Sequence, residues 1–122
     1  MNITDKQAGD LAITAAEHGI GYWCQIDSYQ WSRWDGKDEL SGGFQFYKVA
    51  EWNRHGWGWK SEKYVHSVTV AVIRQGFERL VQAFVDGKIT PFGFVPSDDG
   101  TWDSNVADIV VQLGLFGKLV YG

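Results

Sequence analysis

The sequence predicts a single α+β domain over residues 1–122: an antiparallel sheet of three or four strands with about three helices packed on one face. Three observations predict it. Apolar residues recur at helical spacing near residues 8–16, 70–84 and 106–116. Between the first and second of these stretches lie aromatic-rich runs that alternate or lack a 3.6-residue period, which is the mark of strands. The chain has 122 residues, 44% of them hydrophobic and 16% aromatic, enough to bury one core and too few for two ordinary domains.

Each element has a local reason. Thr4 followed by Gln7 fits a capping box, with Asp5 placed to meet the positive end of a helix dipole, so a first helix starts there. Ala8, Leu11, Ala12, Ala15 and Ala16 form a narrow stripe of small residues suited to close approach, and Gly19 is placed to end the helix as a left-handed cap. From Ile20 to Trp34 the aromatics predict a first strand with room for a bulge, followed by turn sequences at 35–38 and 41–43. Phe44 to Trp52 alternates, with Phe44, Phe46, Lys48, Ala50 and Trp52 on one face and Gln45, Tyr47, Val49 and Glu51 on the other. It pairs with the first strand as a hairpin, and Trp52 is expected in the core. Lys63 to Ser67 is compatible with a third strand.

Thr69 then caps a second helix with Val70, Ile73, Phe77, Leu80, Val81 and Phe84 on its apolar stripe and Gly87 closing it. Pro91 and Pro96 mark the connector that follows, and Ser97-Asp98-Asp99-Gly100 is a turn. Asp103 or Ser104 caps a third helix whose Val106, Ile109, Val110, Leu113 and Phe116 face inward, ended by Gly117. On this phasing Phe77, Leu80, Phe84, Ile109 and Leu113 should be nearly fully buried. Leu119, Val120 and Tyr121 are expected to form a short terminal strand. Gly76 and Gly114, each inside a helix at a cost of about 1 kcal/mol relative to Ala, call for close helix-to-helix contact within the subunit or across a dimer.

Composition narrows the function. A formal charge of −4 argues against an electrostatic grip on duplex nucleic acid, where Lys and Arg neutralise phosphates. Cys24 is the single cysteine, so no internal disulfide forms, and no stretch has the leader or span pattern of a secreted or membrane protein; a cytoplasmic protein is expected. His18, His55 and His66 lack metal-ligand spacing, and Asp98, Asp99 and Asp103 lack the alternation of a calcium loop, so turn chemistry and capping account for the aspartates and no metal is expected. Cys24 near His18 is a weak nucleophile–base pair, because a lone buried Cys acts as a small hydrophobe. No phosphate-binding glycine loop, nucleophile elbow or zinc-protease helix is present, so no catalytic residue and no cofactor is assigned.

The segment Glu51-Trp52-Asn53-Arg54-His55-Gly56-Trp57-Gly58-Trp59-Lys60 holds three of the seven tryptophans, interleaved with glycine and cations. Rigid aromatic faces beside Arg54, His55 and Lys60 suit a flat, anionic ligand, because stacking and charge pairing act on one molecule together. Trp57 and Trp59, each beside glycines, are the sharper candidates. Filling the core of a small sheet is the competing role for such residues.

Two other stretches carry a resemblance. Ile3 to Cys24, especially Gly19-Ile20-Gly21-Tyr22-Trp23-Cys24, and Val106 to Gly122, with Gln112, Phe116, Gly117, Val120, Tyr121 and Gly122 in the ending, resemble a group of small accessory proteins of tailed bacteriophages. The resemblance covers both ends, about a third of the chain, and leaves the tryptophan segment unmatched. It implies a protein of the host cytoplasm that binds a host molecule, with no functional residue to carry over. The reading is therefore an accessory binding protein that sequesters a nucleotide-like signal of host immunity through Arg54, His55, Trp57, Trp59 and Lys60. The alternative is a protein-interaction module that inhibits or redirects a host protein, with the tryptophans as anchors. An enzyme would need convergent carboxylates or a His and Cys pair in a cleft. A homodimer or larger symmetric assembly is also expected, from the surplus aromatic surface and the helix glycines.

Overall fold

The computed structural model describes residues 2–31, 43–52, 64–88 and 90–122. Helix α1 (Asp5–Thr14) is followed by strands β1 (Cys24–Trp31), β2 (Phe44–Glu51) and β3 (Val65–Thr69), then helices α2 (Val70–Val85) and α3 (Ser104–Phe116). The strands form an antiparallel meander in the order β1-β2-β3. Among the described residues the α+β class, with three strands and three α-helices, follows the sequence pattern.

The caps sit where the sequence places them. Thr4 Oγ1 accepts from the Gln7 amide at 3.0 Å while the Gln7 side chain accepts from the Thr4 amide at 2.9 Å, closing the capping box. Thr69 accepts from Val72 at 3.1 Å, and Asp103 takes the α3 cap by accepting from Val106 at 3.0 Å. Gly117, at φ +73°, ends α3 in the left-handed conformation. Asp98 accepts from the Gly100 amide at 3.0 Å, turn chemistry as expected.

Register fixes which side of the sheet meets the helices. Tyr47 and Val49 in β2, with Val68 in β3, are buried, and the Tyr47 hydroxyl donates to the Ala12 carbonyl of α1 at 2.8 Å. Gln25, Asp27, Lys48 and Ser67 point the other way and are exposed. The core gathers Leu11, Ile20, Trp23, Tyr47, Ile73, Phe77, Val106 and Val110 around that inner face.

Helices α2 and α3 cross with their backbones in contact. A Cβ on Gly76 would lie 1.9 Å from the Val110 carbonyl oxygen, and one on Gly114 would lie 2.2 Å from the Val72 carbonyl oxygen. Both glycines are therefore explained within one subunit, so they no longer argue for a dimer.

Four expectations need correction. Gly19 does not end α1 as a left-handed cap: the helix widens into a π-helical turn over Ala15–Gly19, and a Cβ at Gly19 would lie 2.8 Å from the Ser104 carbonyl oxygen. The glycine serves close approach to α3. Leu119 to Tyr121 form no strand, because a side chain of α3 takes the place of a strand partner, as described below. Trp52 is half-buried and hydrogen-bonded through its indole to a turn. Phe77 and Leu80 are buried, but Ile109 and Leu113 are only partly covered and Phe84 is 43% exposed. The buried side of α3 is instead made by Val106, Ala107, Val110 and Val111, which leaves its Ile109 and Leu113 edge facing an open hollow.

Candidate functional site

The proposed ligand residues Arg54, His55, Trp57, Trp59 and Lys60 lie outside the described residues. What the structure describes is the mount from which their segment springs. Residues 52–64 join β2 to β3, more than the roughly 2–5 residues a hairpin turn needs.

Both ends of that connection are held by polar contacts. On the outgoing side, the Trp52 amide donates to the Trp23 carbonyl at 2.9 Å and its indole Nε1 to the Gly21 carbonyl at 3.0 Å. The preceding residue, Glu51, is a buried carboxylate that accepts from the Tyr121 hydroxyl and from His66 Nε2, the latter at 2.8 Å. His66 lies just inside β3, on the returning side. A charge-assisted bond between Glu51 and His66 thus ties the two ends of the connection together.

Tyr121 links this pair to the rest of the molecule. Its ring stacks on Trp23 with centroids 5.0 Å apart and planes 7° from parallel, and Phe116 packs edge-on against both Tyr121 and His66. The backbone around Tyr121 is held by one residue: Gln112 Oε1 accepts from the Val120 and Tyr121 amides, each at 2.9 Å, while its Nε2 donates to the Tyr121 carbonyl at 3.2 Å. Gln112, fully buried, satisfies there the backbone groups that a neighbouring strand would otherwise pair.

A second buried carboxylate lies one helical turn before Gln112. Asp108 accepts from the Tyr22 hydroxyl at 2.7 Å, from Trp23 Nε1 at 2.9 Å and from Gln112 Nε2 at 2.9 Å. These donors satisfy a carboxylate whose burial would otherwise cost several kcal/mol. The Tyr22 phenol is pushed up to about 12, first by burial of its hydroxyl end and then by the Asp108 hydrogen bond. More than half of the Tyr22 side chain is exposed, so this effect belongs to the oxygen tucked against Asp108 and not to the ring. Gly122, at φ +93°, lets the chain end pass that oxygen, since a Cβ there would lie 2.9 Å away.

The chemistry of this clamp is positional. Glu51 and Asp108 act as acceptors for neighbouring side chains, and no three His, Cys, Asp or Glu side chains group to hold a metal among the described residues. Cys24 is buried with its thiol on the Ile20 carbonyl, and burial, then the charges of Asp108 and Glu51, pushes it far above an ordinary thiol. It is therefore a poor nucleophile. His18 is exposed beside Glu17 and belongs to no such pair. Sequence reasoning missed the clamp. Its one readable trace is Asp108 and Gln112, four residues apart on an otherwise apolar helix.

Residues far apart in sequence meet here: Tyr22 and Trp23 precede β1, while Asp108 and Gln112 belong to α3 and Tyr121 follows it. Comparison with family models, curated proteins and solved structures gives no match. Among the described residues no helix is long and apolar enough to cross a membrane.

Proposed function

We propose that the chain is an accessory binding protein of a tailed bacteriophage that sequesters a nucleotide-like signalling molecule of its host on the connection between β2 and β3. The observation that carries the reading is the clamp at the base of that connection, where Glu51, His66, Trp52 and Tyr121 hold both ends on the sheet. Binding residues are disproportionately found on loops held by a rigid scaffold. Anchoring the ends lowers the ordering cost of binding. The residues carried there, Arg54, His55, Trp57, Trp59 and Lys60, supply π faces and cations for a base and its phosphates.

Isothermal titration with cyclic dinucleotides and ADP-ribose derivatives tests the reading, with tryptophan fluorescence as a second signal. At least one of these ligands should bind and quench. Its affinity should fall about tenfold or more in Trp57→Ala or Trp59→Ala, since base stacking is worth roughly 1–3 kcal/mol, while the thermal midpoint stays near that of the wild type. Recovery of the ligand intact marks sequestration; recovery of a cleaved product would replace the binder by an enzyme. If no nucleotide binds, the proposal fails and the protein-interaction module takes its place.

A further inference from the structure

A different face carries an independent inference. Pro91-Phe92-Gly93-Phe94 is a β-turn closed by the Phe94 amide on the Pro91 carbonyl at 3.1 Å, with Gly93 at φ +80°, the positive φ that the third position of a type II turn demands. The turn is anchored from below: Phe94 is buried and meets Phe77 and Phe84 edge to face at 6.2 and 5.9 Å. Phe92, at its tip, is 103% exposed. The fold thus holds a large apolar ring in water on a stiff support, although that turn position accepts most residue types.

Next to the tip lies an apolar hollow of about 310 Å³, lined by Leu80, Ala83, Pro91, Ile109, Leu113 and Leu119, with Lys88 as the charged member of its lining. Its walls include the apolar helix positions that the domain leaves half-covered, Ile109 and Leu113, and Leu119 is 55% exposed. A cavity of roughly 150 Å³ already admits benzene, so a phenyl ring fits. One face therefore presents both a protruding ring and a hollow that accepts one, the self-complementarity that a two-fold interface requires.

We propose that this face pairs with the same face of a second copy, each protomer's Phe92 seated in the other's hollow. The area is consistent with a modest dimer. A phenylalanine buries roughly 150–250 Å²; two rings, the walls that receive them and the Leu119 side chains together remove on the order of 1,000 Å² from water, at the lower edge of specific interfaces. Weak, concentration-dependent self-association is the expected behaviour of an interface of that size. A net charge of −4 per copy opposes it over distance, so physiological salt, which screens beyond about 8 Å, strengthens it.

Sedimentation velocity in about 0.15 M salt, over roughly 1–200 µM protein, tests the proposal. The wild type should move from 13.8 kDa toward twice that mass as concentration rises. Phe92→Ser removes the ring and Ala83→Glu puts a charge in the hollow; each alone should weaken association at least tenfold, with thermal midpoints near that of the wild type because Phe92 is exposed and Ala83 only half-buried. An equimolar mixture of the two variants should regain dimer, since one intact ring then meets one intact hollow. A wild type that stays monomeric at 200 µM, or a dimer indifferent to Phe92→Ser, overturns the pairing. Neither outcome touches the nucleotide reading, which rests on the connection between β2 and β3 and on none of the residues that line the hollow.

Discussion

Replacing Gly76 by alanine tests the α2 to α3 contact directly, because two opposing effects of known size meet at one atom. In an isolated helix the change is favourable by about 1 kcal/mol, since glycine is the poorer helix former. Here the new Cβ would sit 1.9 Å from the Val110 carbonyl oxygen, 2.8 Å from the Val110 carbonyl carbon and 2.9 Å from the Gly114 nitrogen. All three are backbone atoms, so no side chain can rotate away. Ordinary contact begins near 3.4 Å, so the helices must part locally by about 1.5 Å, the difference between 3.4 and 1.9 Å.

A gap of 0.5–1 Å already forfeits a quarter to a half of a contact's attraction, and the pairs at risk include Ile73, Phe77 and Leu80 of α2 against Val106 and Val110 of α3. Overpacking costs about 1–3 kcal/mol where side chains can yield and more where backbone is the obstacle. The net expectation is a loss of about 2–4 kcal/mol, or a thermal midpoint lower by on the order of 10 °C. Urea titration read by circular dichroism measures it. Gly114→Ala should behave alike, with its Cβ 2.2 Å from the Val72 carbonyl oxygen, and the double variant should lose less than the sum, because helices already parted accept the second methyl. Gly21→Ala is the control, having nothing within 4 Å of its Cβ. If Gly76→Ala is as stable as the wild type, the helices do not touch as described.

Two further outcomes are expected. Cys24, buried and with its thiol pushed far up by burial and by Asp108 and Glu51, should react with iodoacetamide at pH 8 on the order of a hundredfold more slowly in the native protein than in denaturant; rapid native alkylation would contradict the burial. The Tyr22 phenol is raised in the fold from 10.0 to about 12, so its contribution is fully present below pH 10 and is lost as pH rises through about 12. The stability gap between wild type and Tyr22→Phe should therefore narrow over that window, and a gap independent of pH would show that neither burial nor the Asp108 hydrogen bond raises the phenol.

Much of the fold was legible because its signals are local. A Thr and a Gln three residues apart close a capping box without help from the rest of the chain, and the caps at Thr69 and Asp103 were readable for the same reason. The misses depend on distant partners. Gly19 looks like a helix stop until Ser104 is known to lie against it. Leu119 to Tyr121 look like a strand until the turn at Gly117 brings them beside Gln112. Apolar periodicity says which side of α3 points inward, not whether a layer covers Ile109 and Leu113, and the same blindness hid the pairing of Glu51 with His66 and Tyr121.

The position of the clamp bears on where function can reside. Tyr22 and Trp23 meet Asp108, Gln112 and Tyr121 across more than eighty positions of sequence, so the two stretches act as one structural unit. That unit closes the helices onto the sheet and fixes the ends of the β2 to β3 connection, and its polar groups are spent on one another. Residues 52–64, which join β2 to β3, begin and end beside that unit, and binding residues are disproportionately found on connections held by a rigid scaffold. On the proposed reading, Trp57→Ala and Trp59→Ala should therefore lower ligand affinity and leave stability alone, whereas substitutions in the clamp, such as Gln112→Ala, should lower stability, because they strip buried groups of their partners.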